Sequence, residues 1–166
     1  MFVVLLTLLY GAFNVAFRLW IAQEEFFEAY LRWNARLTVG FLNAMGEDAR
    51  VADLAVVSPR FTVKIKSGCD GLQASAFFVF AVLVSPVGLR FRSRVVPMLV
   101  GTAALLVLNL VRIISLYYTG VWSPGAFEIM HVDVWQAVFV FLPLLFWVIW
   151  ARGALRVVSA QRHAAT

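Results

Sequence analysis

Val95-Val96-Pro97-Met98-Leu99-Val100-Gly101-Thr102-Ala103-Ala104-Leu105-Leu106-Val107-Leu108-Asn109-Leu110-Val111-Arg112-Ile113-Ile114-Ser115-Leu116-Tyr117 carries a single charge, Arg112. As a helix the run is long enough to cross a bilayer, for which roughly 20 residues suffice. Working outward, Phe2 to Ala22, Leu72 to Val87 and Val134 to Trp150 read the same way. Leu72 to Val87 is short for a span, so the Gly68-Cys69-Asp70-Gly71 stretch before it belongs in the interfacial zone. Composition agrees: the chain is 63% hydrophobic and only 14% charged, where soluble domains are nearer about a quarter charged. The formal charge of +5 comes without a long basic stripe, which favours lipid headgroups and membrane orientation over nucleic acid.

The expected fold is therefore an all-alpha polytopic membrane protein with four transmembrane helices, an external surface helix and a small β-hairpin. Its expected divisions are a first anchor over 1–22, an external segment over 23–68, a three-span core over 69–151 and a basic tail over 152–166. Arg90, Arg92 and Arg94 after the second span, and Arg152, Arg156 and Arg162 after the fourth, assign those stretches to the cytoplasm by the positive-inside rule. Both termini then face inward, in the inner or plasma membrane. The connection from Thr119 to Asp133 holds Glu128 and Asp133 but no basic residue, which suits the exported side. The first apolar run has no basic leader region and no small-residue cleavage site, so it reads as a retained anchor in which Arg18 snorkels to the interface.

The external segment changes period along its length. Phe27, Leu31, Asn34, Thr38 and Phe41 stand at near-helical spacing, with Trp33, Leu37 and Leu42 nearby, and predict one or two helices along the membrane surface. Gly40 and Gly46 argue against a single uninterrupted helix. From Val51 to Val57, and then through Phe61, Val63 and Ile65 alternating with Thr62, Lys64 and Lys66, the pattern turns β-like, with a turn at Ser58-Pro59.

Chemistry is concentrated at the exported ends of the spans. Cys69 is the only cysteine, which excludes an intrachain disulfide. Ser67 as a cap places Cys69 in the first turn of the next helix, where free amides and the helix dipole favour a thiolate, while Asp70 opposes it if turned toward the sulfur. Arg112 can snorkel to headgroups, or, if shielded by protein, steady an oxyanion or a carboxylate. His131 precedes the fourth span and is a proton carrier near neutral pH. Its alternative reading is an interfacial histidine with Asp133 capping the next helix. Nucleophile, proton carrier and cation on one membrane face suit thiol acyl transfer. Gln73 and Asn109 are candidates for orienting the site or the substrate, and Tyr117 and Tyr118 for bordering a peptide groove. Asn14 and Gln136 are placed to pair between helices. No metal-ligand spacing, phosphate loop or dinucleotide fingerprint is present, so no cofactor is expected.

Cys69-Asp70-Gly71-Leu72 resembles the nucleophile motif of the exosortase and archaeosortase family, Asn109-Leu110-Val111-Arg112 resembles its asparagine-x-x-arginine motif, and His131 lies where its third catalytic element is expected. The resemblance covers roughly residues 50 to 150 and points to a compact form of the family. It implies a membrane-embedded cysteine transpeptidase with Cys69, Arg112 and His131 as catalytic residues. It further implies a membrane-anchored protein precursor as substrate, bearing a C-terminal sorting signal made of a short motif, an apolar segment and a basic tail. An acyl-enzyme thioester is passed to an acceptor such as a lipid or a surface glycan. Two alternatives stand beside it: an intramembrane cysteine protease that ends in hydrolysis, and a nonenzymatic membrane assembly subunit.

Overall fold

Residues 1–19, 25–65, 68 and 70–164 are described by the computed structural model. Ala22, Lys66, Ser67 and Cys69, all used in the sequence reading, lie outside the described residues. Three helices are long and apolar enough to cross a membrane: α1 (Phe2–Leu19), α4 (Arg92–Trp122) and the continuous helical stretch Pro124–Gln161. That last stretch contains α5 (Pro124–Glu128), a π-helical segment (Ile129–Val134) and most of α6 (Trp135–Ala164). α3 (Leu72–Val84), expected as a full span, has 13 residues, about 20 Å of helix against a hydrocarbon core of about 30 Å. Ser85, extended ahead of Pro86, ends it.

α4 measures what α3 lacks. Near its start, Arg94 donates from Nη1 to the carbonyls of Val82 and Leu83 at the end of α3, at 2.9 and 2.7 Å. Further along, Arg112 donates to the Gly68 carbonyl ahead of α3. The two arginines stand roughly 27 Å apart along the α4 axis. The two arginines thus hold α3 beside α4 near both of its ends. α4 begins at Arg92 and carries Pro97 inside it. α3 packs against α1, α4 and α6, which is why its apolar residues need no single buried face.

The segment expected to be external forms, over its described residues, one helix and a sheet. α2 (Glu25–Ala44) runs straight through Gly40 and buries Phe27, Leu31, Asn34, Ala35, Thr38 and Leu42 on one face. Of the expected stripe, Phe41 and the neighbouring Trp33 are exposed instead. Gly46 ends the helix with φ 91: Glu47 N–H reaches the Leu42 carbonyl and Gly46 N–H that of Asn43, each at 3.0 Å, a Schellman closure that wants glycine.

β1 (Arg50–Ala52), β2 (Ala55–Val57) and β3 (Thr62–Lys64) form an antiparallel sheet in that order, with Val56 opposite both Val51 and Val63. The expected hairpin is thus three strands, because the Val51–Val57 run folds back on itself at Asp53, whose φ is 58. Val56, Val63 and Ile65 point inward with Phe17, Phe27, Leu31, Leu42, Ile113 and Tyr117 to make an outer core. A second core of Phe78, Val82 and Leu105 lies between α3, α4 and α6. Leu99, Val100, Phe141 and Ile149 are exposed, as lipid-facing side chains are.

Candidate active site

The loop between β3 and α3 is bent by two glycines, Gly68 at φ 92 and Gly71 at φ 76. A Cβ at Gly71 would stand 3.1 Å from Asn109 Cβ, so both the left-handed backbone and the close approach to α4 call for glycine there. Between the glycines Asp70 is fully buried. Its Oδ1 accepts the Leu72 N–H and its Oδ2 the Gly68 N–H, each at 2.8 Å. Its carbonyl accepts the Tyr30 hydroxyl of α2 at 2.6 Å. Burial pushes the Asp70 carboxyl above the ordinary range, while the Leu72 and Gly68 amides and the Arg112 charge pull it back.

A cleft of about 260 Å³ opens beside this loop. Its polar end is formed by Gly68, Asp70, Gly71, Gln73, Arg112 and Gln136; its apolar end by Ala74 and Phe77 of α3 and Phe139, Val140, Pro143 and Leu144 of α6, with Tyr10 of α1 on the far wall. Arg112 is 3% exposed. Its Nη1 lies 3.4 Å from the Gly68 carbonyl, and its guanidinium carbon sits 5.2 Å from the centre of the Phe139 ring, a cation over a π face in a water-poor setting. An arginine walled in this way faces the cleft and not the lipid headgroups.

The sequence candidates divide. Gln73 and Arg112 line the cleft together with Gly68 and Asp70, the residues bonded to Cys69. Cys69 itself is outside the described residues; in the sequence it stands between Gly68 and Asp70. The Ser67 cap is likewise outside them, and α3 begins only at Leu72, where Asp70 receives the first amide. His131 stands on the π-helical segment, half-buried, with its ring 5.7 Å from that of Phe127. It is five positions ahead of Gln136, which lines the cleft, and is not itself among the lining residues.

Asn109 is fully buried behind Gly71, and neither of its side-chain polar atoms has a partner among the described residues. Tyr117 lies outside the cleft: buried in the outer core, its hydroxyl meets Ser58 Oγ at 2.7 Å and Glu47 Oε2 at 2.8 Å. Tyr118 stacks on Trp122 and reaches Met45 Sδ. Asn14 donates to the Tyr10 carbonyl of its own helix, and Gln136, its expected partner, lines the cleft.

Sequence reasoning missed Tyr10, Phe139 and the anchoring by Tyr30. A tyrosine and a phenylalanine in apolar helices carry no local mark of which way they face. Among the described residues no three His, Cys, Asp or Glu side chains gather to hold a metal.

Set against known families, the chain matches the family model for transmembrane exosortase (Exosortase_EpsH) over residues 1–149. No curated protein and no solved structure matches it.

Proposed function

The chain belongs to the transmembrane exosortase family, and from that premise we propose a membrane-embedded cysteine transpeptidase acting on a precursor with a C-terminal sorting signal. The observation that carries the reading is the cleft in which Arg112 faces Gly68 and Asp70, the two residues bonded to the only cysteine. A peptide carbonyl brought to this loop meets a buried guanidinium that its oxygen can face.

In this reaction the Cys69 thiolate attacks the peptide carbonyl near the sorting motif, and Arg112 steadies the oxyanion. His131 accepts the thiol proton and returns it to the departing amine. The carbon–nitrogen bond breaks, the C-terminal anchor leaves, and a thioester joins the exported part to Cys69. An acceptor amine or hydroxyl then attacks the thioester and regenerates the thiol. The polar end of the cleft suits the sorting motif, and the apolar end along Phe77, Phe139 and Leu144 suits the start of the apolar segment that follows it.

Four crossings, with both termini cytoplasmic and the site on the exported face, belong to the same reading. A helix shorter than the bilayer is acceptable when the irregular backbone flanking it is buried in protein.

Coexpression with a tripartite-tail precursor tests it. Cys69→Ala should abolish processing while the protein still inserts at normal abundance. Arg112→Ala should lose about 10²–10³-fold, the loss typical of a missing oxyanion donor, and His131→Ala about 10²–10⁴-fold. Mass spectrometry of a trapped adduct should find the acyl group on Cys69. Unchanged processing by stable Cys69→Ala protein removes the proposal.

A further inference from the structure

Asp70 is the one carboxylate among the described residues that lines the cleft, and the reaction above gives it no part. A fully buried carboxylate persists only where donors meet it, and here they come from the backbone around the cysteine. Oδ2 takes the amide of Gly68, one residue before Cys69, and Oδ1 that of Leu72, three residues after it. The side chain thereby closes a bridge across the whole thiol loop. Tyr30 of α2 holds the Asp70 carbonyl from the outside, and Arg112 of α4 approaches the Gly68 carbonyl. Both neighbours of the cysteine are therefore tied to separate elements of the fold.

The same carboxylate carries charge. Among the described residues, the ionisable groups that face it are the Tyr30 phenol from α2 and the Arg112 guanidinium from α4; the first turn of α3, Leu72 to Ser75, adds none. Asp70 follows Cys69 in the chain, and Arg112 approaches the carbonyl of the residue before it; a nearby positive charge favours a thiolate and a negative one opposes it. A permanent thiolate on the exported side of a membrane is exposed to oxidation.

We propose that Asp70 is a positioning residue for the thiol reaction: its carboxylate fixes the backbone on both sides of Cys69 and offsets the charge of Arg112, so that the resting sulfur stays a thiol until its proton is taken in the reaction. This rests on Cys69 being the nucleophile.

The single cysteine makes the test site-specific, because alkylation of the whole protein in detergent reads Cys69 alone. Asp70→Asn should lower the pH midpoint of iodoacetamide labelling by about one unit. It should also hasten loss of the free thiol in dilute hydrogen peroxide and slow precursor processing at least tenfold. Loosening of the fold raises the labelling rate at every pH, so the readout that separates a change of charge from a change of access is the shift of the midpoint. Asp70→Glu keeps the charge but moves it, so the midpoint should hold while processing falls. Tyr30→Phe removes only the hydroxyl, with the midpoint again unchanged and processing reduced a few-fold.

An Asp70→Asn protein with an unshifted midpoint overturns the proposal. If that variant does not accumulate, wild-type processing by Asp70→Glu overturns it instead. Failure of the nucleophile assignment shows separately, as processing by Cys69→Ala, whatever the labelling profile of Asp70→Asn.

Discussion

Tyr117 and Arg112 are five positions apart on α4, both almost completely buried, and they serve different ends of the molecule. The Arg112 guanidinium faces the cleft over Phe139, whereas the Tyr117 hydroxyl joins Ser58 and Glu47, and Glu47 in turn pairs with Arg60. From sequence the tyrosine looks like a groove residue because it follows the arginine at the exported end of an apolar run. Which side of the helix each residue takes depends on the sheet that packs there, and a local pattern does not contain the sheet. Tyr117→Phe should therefore act on stability and not on chemistry. It leaves the Glu47 carboxylate, 7% exposed, short of a donor, at a cost of about 1–3 kcal/mol. A lower melting temperature in detergent with an unchanged kcat/KM is the expected result, and a fall in kcat/KM at constant stability would return Tyr117 to the substrate path.

Elements were legible where burial sets a period and obscure where backbone conformation does. The α2 stripe can be read from Phe27, Leu31, Asn34 and Thr38, and α4 from its single charge. Gly40 misled: a helical glycine costs about 1 kcal/mol, less than the burial of Phe27, Leu31 and Leu42 returns at about 1.5–3 kcal/mol each. The π-helical segment left no trace in the sequence, since Ile129 to Val134 is too short to reveal a period. Yet it sets the angle of His131 relative to Gln136 and Phe139, and wide turns of this kind recur at functional sites. Deleting Val132, an exposed residue, should let the segment close into α-helix and turn His131 by about 100° against the cleft residues of α6. Processing should drop at least tenfold while the full-length protein still reaches the membrane, with Val132→Ala as the control that keeps activity. Normal processing by the deletion variant would mean that the orientation of His131 does not matter.

At the scale of the whole molecule, the two cores divide the work. The outer one fastens α2 and the sheet to the far end of α4, and the inner one fastens α3 to α4 and α6. α4 belongs to both, and its 31 residues, about 46 Å, exceed a bilayer core of about 30 Å, which leaves length for one end to stand clear of the lipid. The sheet and α2 mark which end that is, and Arg92 and Arg94 mark the other. With α3 held beside α4 near both ends by Arg94 and Arg112, the chain should pass back through the membrane between Lys64 and Arg92. That is testable in a Cys69→Ala background by introducing Lys64→Cys, Arg92→Cys and Arg152→Cys one at a time and treating intact cells with a membrane-impermeant maleimide. Position 64 should label from outside, whereas 92 and 152 should label only after the membrane is broken. If 64 and 92 label together on intact cells, α3 does not cross, and the cleft beside it has no sidedness to offer an exported precursor.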